Sequence, residues 1–253
     1  MKKMWLIVSL LLLVSCTTQQ TNVASLEKGD YKIVSESVNY FENVQGHYAR
    51  PLKEGNYPGV ILIHEWWGLN DQIKEMADLL ATEGYLVLAV DLHNGKVAAT
   101  PDEARQLTGS LNQSKAIENM RAALGYLKYQ GATKLASYGW CFGGGQSMQL
   151  AIKDGPLAAT VIYYGQLVTN QTQLENIKWP VLGIFGQNDT GIPPAKVNEF
   201  DSALDALKIE NEIYNYPGVG HAFANPSGMN YAPAETKDAW LKTLKFLNKH
   251  LKE

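Results

Sequence analysis

Five short, largely apolar runs constrain the fold of this chain more than any other feature of its sequence. They are Gly59–Ile63, Tyr85–Val90, Leu135–Tyr138, Ala159–Tyr163 and Val181–Phe185. Runs of this kind without polar alternation are typical of parallel strands that are covered on both faces. Amphipathic segments separate and follow these runs, and they are Asp71–Thr82, Lys115–Tyr129, Gly144–Lys153, Ala195–Leu207 and Glu235–Lys252. This alternation of strands and helices predicts an α/β fold with a doubly wound, mostly parallel sheet.

Two weakly alternating segments precede the apolar runs. Ser35–Tyr40 and His47–Arg50 alternate between polar and apolar residues, which predicts an N-terminal antiparallel hairpin. The chain has 253 residues, and α/β folds of this size often form one domain. Because no repeat or internal linker divides the sequence, we expect a single domain over residues 31–253.

The charge pattern argues against nucleic acid as a partner. The chain has a net charge of −3 and contains no block of Lys or Arg. Binding to phosphate backbones depends on several neutralising cations at once, and this sequence offers no such group.

The first residues have a pattern of their own. A basic start, Met1-Lys2-Lys3, precedes an apolar run from Trp5 to Val14, which is too short to cross a bilayer. This combination is typical of a secretory signal peptide. The segment Leu13-Val14-Ser15-Cys16 resembles the lipobox of bacterial lipoproteins, in which the cysteine is acylated and becomes the first residue. The alternative is an ordinary signal peptide with an incidental cysteine.

On the lipoprotein interpretation, residues 1–15 are the signal peptide and residues 16–30 are a polar tether. The lipid on Cys16 then holds the protein in the bacterial cell envelope, facing the periplasm or the exterior, and is its only contact with a membrane. Cys141 is left without a partner for an internal disulfide. This thiol is therefore either buried and inert or chemically active.

Cys141 lies in a glycine-rich turn between a predicted strand and a helix that we expect to begin near Gln146. The turn reads Gly139-Trp140-Cys141-Phe142-Gly143-Gly144-Gly145. A nucleophile elbow needs a small residue two positions before and after the nucleophile, because strand and helix approach closely there. The start of a helix also favours a thiolate and, later, an oxyanion. The alternative is a core cysteine beside glycines that serve helix packing.

The sequence contains only parts of the known nucleotide-binding and zinc-binding motifs. No Lys-Ser or Lys-Thr follows the glycines, and the dinucleotide-binding pattern breaks at Met148. His64-Glu65 begins like a zinc-protease helix but lacks the second histidine. We therefore expect neither a metal nor a cofactor.

A base and an acid follow Cys141 in the order that a catalytic triad of α/β-hydrolases requires. Asp189 lies in the loop after the run Val181–Phe185, and His221 lies in the loop after Glu212–Tyr216. Loops that follow parallel strands meet at the edge where open α/β sheets place their sites. By itself, Asp189 would be read as a turn residue or a helix cap, and His221 as structural or solvated.

These residues carry a family resemblance. The supporting motifs are His64-Glu65-x-x-Gly68, Asp91-Leu92, Gly139-x-Cys141-x-Gly143-Gly144, Asp189 after its strand, and His221-x-Phe223. From about Pro58 to its C-terminus, the chain resembles the dienelactone hydrolase family, the cysteine-nucleophile branch of the α/β-hydrolases. The resemblance implies the α/β-hydrolase fold, with Cys141 as nucleophile, His221 as base and Asp189 as the residue that orients the base.

The resemblance also assigns roles beyond the triad. It implies that Glu65 contacts the resting thiol and helps to form the thiolate when substrate binds. It further implies that the backbone N–H groups of Phe142 and Trp66 hold the oxyanion. From the residues alone, Glu65 could instead be a carboxylate that caps the following helix.

The candidate substrate pocket departs from the family pattern. Family members that act on dienelactone hold its carboxylate with two arginines, and this sequence offers Lys96 and Asn225 in those regions. Lysine cannot form the two-pronged contact of an arginine, so we expect a different substrate. Trp66, Trp67 and Trp140 flank the site and could form an aromatic wall, although buried packing is the more common role of tryptophan.

Together, these features predict an envelope-anchored hydrolase that cleaves a small-molecule ester, lactone or thioester through an acyl-cysteine intermediate. The alternative is a noncatalytic lipoprotein that uses the same cleft to bind a ligand or an envelope partner.

Overall fold

A computed structural model describes residues 26–153 and 155–253. In chain order, the strands are β1 (Ile33–Phe41), β2 (Val44–Pro51), β3 (Gly59–Ile63), β4 (Leu86–Val90), β5 (Leu135–Trp140), β6 (Ala159–Tyr163), β7 (Val181–Gly186) and β8 (Asn211–Tyr216). The helices are α1 (Asp71–Thr82), α2 (Pro101–Gly109), α3 (Gln113–Tyr129), α4 (Phe142–Ile152), α5 (Gln171–Leu174), α6 (Pro194–Ala206) and α7 (Pro233–Leu251).

The strands form one sheet in the order β1-β2-β4-β3-β5-β6-β7-β8. The hairpin of β1 and β2 is antiparallel, and β2 also runs antiparallel to β4. From β4 to β8 each neighbouring pair is parallel. The predicted α/β fold with a mostly parallel sheet and an N-terminal antiparallel hairpin is therefore confirmed.

Helices cover both faces of the sheet, which explains the continuous apolar runs. Strand β3 shows the division, because Ile61 and Ile63 pack with α3, α4 and α6 on one face. Val60 and Leu62 pack with α1 and α7 on the other face. Since alternate side chains of one strand enter two different cores, no position of β3 is left for a polar residue.

Three details differ from the pattern-based prediction. Helix α4 begins at Phe142, immediately after the candidate nucleophile, and not near Gln146. Helix α2 was not predicted, because Ala104 is its only buried residue and it therefore has no apolar stripe. The short helix α5 likewise buries only Leu174. Periodicity cannot detect helices that present so little apolar surface.

The last residues of the predicted tether contact the domain. Leu26 is buried against the core on the α1 and α7 face. Glu27 Oε1 lies 2.7 Å from Lys237 Nζ, and the Gly29 N–H donates to Thr82 Oγ1 at 2.8 Å. The predicted signal peptide and Cys16 lie outside the described residues. Within the described part, no helix combines the length and the apolar character needed to span a membrane.

Candidate active site

The loops that follow four strands bring the candidate catalytic side chains to one edge of the sheet. Glu65 follows β3, Cys141 follows β5, Asp189 follows β7 and His221 follows β8. These strands are mutually parallel, so their carboxyl ends point the same way. This edge is where open α/β sheets place their binding sites.

The turn at Cys141 has the strained backbone of a nucleophile elbow. Cys141 has φ 53° and ψ −118°, a left-handed conformation that is rare for a residue with a side chain. A Cβ atom on Gly139 would lie 2.1 Å from the carbonyl oxygen of Gly143. A Cβ atom on Gly143 would in turn lie 2.1 Å from the carbonyl oxygen of Ile63. Both positions therefore require glycine, and the half-buried Cys141 is held at the start of α4.

Cys141, His221 and Asp189 form a continuous hydrogen-bonded chain. His221 Nε2 lies 3.1 Å from Cys141 Sγ, and His221 Nδ1 lies 2.7 Å from Asp189 Oδ2. The other carboxylate oxygen, Asp189 Oδ1, accepts hydrogen bonds from the N–H groups of Gly191 at 2.9 Å and Ile192 at 3.0 Å. The loop backbone thus holds one carboxylate oxygen of Asp189, while the other oxygen binds a ring nitrogen of His221.

The electrostatics of this chain favour an ionised carboxylate beside a charged imidazole. Burial opposes the charge of Asp189, but hydrogen bonds from His221 and from the loop backbone outweigh it, and the pKa of Asp189 is lowered. Burial also opposes the charge of His221, but its hydrogen bonds to Asp189 and Cys141 raise its pKa to about 10.

Glu65 lies deeper in the same site and is only 5% exposed. Its Oε2 accepts a hydrogen bond from Asn225 Nδ2, and its Oε1 lies 3.4 Å from the hydroxyl of Tyr164. Burial raises the pKa of Glu65 to about 7, against the opposing effect of the Asn225 hydrogen bond. This carboxyl group can therefore gain and lose a proton near neutral pH.

The contact between Glu65 and the resting thiol, which the resemblance implied, is not among the hydrogen bonds of the described residues. The sulfur of Cys141 lies in hydrogen-bond distance of His221 instead. The carboxylate of Glu65 is occupied by Asn225 and Tyr164. Tyr164 connects Glu65 with His221, because its ring also makes an edge contact with the imidazole, with ring centroids 5.3 Å apart.

The two N–H groups assigned to the oxyanion are both free to bind. Phe142 is the first residue of α4, and Trp66 lies in the turn after Glu65. Neither N–H has an acceptor among the residues that the structure describes. Unpaired donors at the start of a helix and in a turn can stabilise a developing negative charge.

The predicted pocket residues divide into two groups. Trp66 and Trp67 are half-buried and contact each other, with ring centroids 5.0 Å apart. Lys96 is exposed and lies in a loop that packs on the turn of the tryptophans, where the Ala98 N–H donates to Trp67 O at 2.8 Å. These three residues remain open to a ligand.

Trp140 and Asn225, two candidate pocket residues, are interior residues. For Trp140 this is the buried packing that the sequence left open as the more common role of a tryptophan. Trp140 is 5% exposed, and its ring packs on Tyr138 at 4.0 Å because both side chains point to the α1 and α7 face. Asn225 is 6% exposed; its Nδ2 donates to Glu65 and its Oδ1 accepts from the Ser227 N–H at 2.9 Å. The amide of Asn225 is therefore used inside the protein.

Two residues of this site, His64 and Tyr164, have no role assigned from the sequence, although His64 stands in one of the family motifs. Each directly follows a strand of the sheet, β3 and β6 respectively, at the edge that carries the other candidates. Tyr164 also has a positive φ of 35°, which no sequence pattern predicts. Their position next to predicted strand ends was the available signal. In the described part, no group of three or more His, Cys, Asp or Glu side chains could hold a metal ion.

Comparison with known proteins identifies the family of the chain. The sequence profile of the dienelactone hydrolase family matches residues 44–251 of the chain. The chain belongs to this family. The resemblance inferred from the motifs is thereby confirmed. Membership of the family implies that the protein is a hydrolase of the dienelactone hydrolase type.

Two similar proteins illustrate the relationship in sequence. A protein of Saccharolobus solfataricus named "Putative carboxymethylenebutenolidase" is 33% identical over 229 residues, which cover 75% of this chain and 88% of that protein. Protein usf of Aquifex pyrophilus is 34% identical over 219 residues, covering 82% and 94% of the two chains.

A solved structure supports the fold. The crystal structure described as a "Putative Dienelactone Hydrolase" from Klebsiella pneumoniae superimposes with a TM-score of 0.80 at 26% identity. The match covers 86% of this chain and 99% of the Klebsiella chain. The fold is therefore the α/β-hydrolase fold of the dienelactone hydrolases.

Proposed function

We propose that this protein hydrolyses an ester, lactone or thioester of a small molecule through an acyl-cysteine intermediate. The observation that carries the proposal is the 3.1 Å distance between Cys141 Sγ and His221 Nε2, with Asp189 behind the imidazole. A nucleophile, a base and an orienting acid in this arrangement are the parts that acyl transfer requires. The free N–H groups at Phe142 and Trp66 supply the fourth part, an oxyanion site.

The reaction proceeds in two halves. Glu65 takes the proton of the Cys141 thiol, and the thiolate attacks the carbonyl carbon while the N–H groups of Phe142 and Trp66 bind the oxyanion. His221, whose pKa is raised to about 10, is already protonated at this stage. His221 then protonates the leaving alcohol or thiol as the bond to it breaks. In the second half, His221 takes a proton from water and the resulting hydroxide attacks the acyl-cysteine. The acid leaves, and the released thiolate takes its proton back from Glu65.

Glu65 assists the first proton transfer in this proposal. Because its pKa is about 7, a fraction of the group is ionised at neutral pH and can accept a proton. Tyr164 contacts both Glu65 and His221, so the carboxylate is held beside the triad. The thiolate is formed when a bound substrate brings the sulfur of Cys141 toward Glu65.

The substrate class follows from what the pocket offers. Asn225 and Lys96 lie in the two regions where family members that act on dienelactone carry an arginine. The amide of Asn225 is bound to Glu65 and Lys96 is exposed, so neither residue replaces an arginine in holding the carboxylate of dienelactone. The tryptophans at positions 66 and 67 offer an apolar surface next to the proposed oxyanion site. We infer a neutral acyl or aryl ester or lactone. A butenolide is a lactone, so the name of the Saccharolobus relative supports the lactone group.

A panel of activated esters, lactones and thioesters tests the proposal, with p-nitrophenyl acetate as the first substrate. Rapid mixing should give a burst of nitrophenol, and acid quenching should leave an acetyl group on Cys141 by mass spectrometry. A noncatalytic binding protein would instead show tight ligand binding without a burst. Alkylation of Cys141 in step with loss of turnover would further support hydrolysis, whereas complete alkylation with undiminished turnover would contradict it.

We also propose that Cys16 carries lipid and holds the protein in the cell envelope, facing the periplasm or the exterior. The support is the sequence pattern before Cys16. Cys16→Ala should abolish fatty-acid labelling and move the protein from the detergent phase to the aqueous phase. Cys141→Ala is the matched control, because it removes the other cysteine and should leave labelling unchanged. Unlabelled wild-type protein in the aqueous phase would contradict the proposal.

A further inference from the structure

His64 is a buried histidine that the proposed reaction does not use. It lies between the last residue of β3 and Glu65, and it is 0% exposed. Its Nδ1 lies 2.5 Å from the carbonyl oxygen of Glu65, and its Nε2 lies 3.1 Å from the backbone nitrogen of Leu92. Both ring nitrogens are therefore engaged with the backbone, at the base of the candidate active site.

These two contacts determine the tautomer of His64. The Leu92 N–H can only donate, so the Nε2 that faces it must be an unprotonated acceptor. The proton of the neutral ring then lies on Nδ1, which donates to the oxygen of Glu65. Burial lowers the pKa of His64 to about 4, which keeps the ring neutral at physiological pH.

The oxygen that His64 binds belongs to the peptide group that carries the Trp66 N–H. A peptide group is planar and trans, so its N–H points away from its carbonyl oxygen. The oxygen is held by His64 and also by the Gly68 N–H at 3.3 Å. The opposite end, the Trp66 N–H, has no acceptor in the described part of the chain. A peptide held at its oxygen presents its free N–H in one fixed direction.

The ring of His64 also touches the second oxyanion donor. It stacks on the ring of Phe142, with centroids 5.8 Å apart and planes inclined by 23°. One buried side chain therefore binds the peptide group that carries the Trp66 N–H and also stacks on the side chain of Phe142, whose N–H is the second assigned donor.

We propose that His64 is a positioning residue that holds the Glu65–Trp66 peptide so that its N–H completes the oxyanion site. The inference rests on the proposed acyl transfer and adds a residue to it. The hydrogen bond to the carbonyl oxygen also polarises the peptide, which makes its N–H a stronger donor. His64 acts through the backbone and does not touch the substrate.

Two substitutions separate this role from a merely structural one, because each keeps one of the two hydrogen bonds. In His64→Asn, the side-chain amide nitrogen lies near the place of Nδ1 and can donate to Glu65 O. In His64→Gln, the longer side chain places its oxygen near Nε2, where it can accept from Leu92 N. The variants lose one hydrogen bond each, so their melting temperatures are a matched comparison.

His64→Gln should lower kcat and kcat/KM for p-nitrophenyl acetate together by about 10- to 1,000-fold, because an interaction made only in the transition state is lost. His64→Asn should stay within about tenfold of the wild type. The rate at which iodoacetamide labels Cys141 should be unchanged in both variants. Displacement of iodide needs the thiolate but develops no charge in the oxyanion site.

Equal activity of the two folded variants, or a parallel fall in the labelling rate, would overturn the inference. If His64→Gln does not fold, His64→Asn decides, because a folded Asn variant that loses more than about tenfold in kcat contradicts it. Failure of the proposed function gives a different result. In that case the wild type itself shows no turnover that depends on Cys141, whatever residue stands at position 64.

Discussion

Asn225 donates a hydrogen bond from its Nδ2 to the Oε2 of Glu65, a residue 160 positions earlier in the chain. Both side chains are buried, and Asn225 is neutral. A neutral donor offsets only part of the cost of burying a carboxylate, so the pKa of Glu65 remains raised. A cation at the same position would stabilise the charged form and lower that pKa. The amide at position 225 therefore helps to place the titration of Glu65 near neutral pH.

Cys141→Ala should abolish hydrolysis and leave the fold intact. The alanine has the same Cβ as cysteine in the strained turn, so only the nucleophile is removed. Cys141→Ser should be slow, because its hydroxyl is far less acidic than a thiol and needs much stronger help from a base. Turnover of p-nitrophenyl acetate and melting temperature are measured on all three forms. An alanine variant with near wild-type turnover would exclude the acyl-cysteine mechanism.

Glu65→Gln should lower kcat/KM at pH 7 by about 10²–10⁴, the usual scale of general acid–base catalysis. The amide cannot take the thiol proton, and activity should recover partly at alkaline pH, where a cysteine ionises without help. The profile of kcat/KM from pH 5 to 10 is measured for both forms. Superimposable profiles would show that Glu65 is structural.

Although Glu65→Gln should lower activity, it should raise the stability of the folded protein at and above neutral pH. The pKa of Glu65 is raised from 4.5 to about 7 on folding, so the folded state binds this proton more tightly than the unfolded state. The wild type therefore loses stability as pH rises from about 4.5 through about 7, whereas the glutamine variant does not.

Urea titrations at pH 4.5, 6, 7 and 8 measure this effect. The variant should match the wild type at the lowest pH and be more stable above pH 7, by at most about 3 kcal/mol. Lower activity combined with higher stability would also rule out unfolding as the cause of the kinetic loss. A stability difference that does not vary with pH would mean that folding does not raise the pKa of Glu65.

Gly139→Ala should destabilise the protein by about 1–3 kcal/mol or more and reduce turnover, because the new Cβ collides with backbone. The collision is with the carbonyl oxygen of Gly143, 2.1 Å away. Gly125→Ala is the matched control, since Gly125 lies inside α3, where a Cβ atom would meet no other part of the protein within 4 Å. The control should gain about 0.5–1 kcal/mol and keep full activity. Equal effects of the two substitutions on melting temperature would contradict the close approach at the elbow.

Much of the architecture could be predicted from the sequence, because it depends on patterns that are local. Strands β3 and β6 and helix α1 have the predicted bounds. A strand covered on both faces must be apolar throughout, and a surface helix must carry an apolar stripe, so both leave a signature within a few residues. The glycines at positions 139 and 143 are likewise a local requirement, set by the backbone that approaches each of them.

The tertiary structure alone decided how the site is completed. The partners of Glu65 are Asn225 and Tyr164, which reach it from the loop after β8 and from the end of β6. The link from His64 to the peptide of Trp66 was equally absent from any pattern, and the sequence left the position of Trp140 open between the pocket and the core. These features depend on which loops meet at the sheet edge and how their side chains fill the space there. Periodicity records which face of an element is buried, but it does not record which distant residue packs against that face.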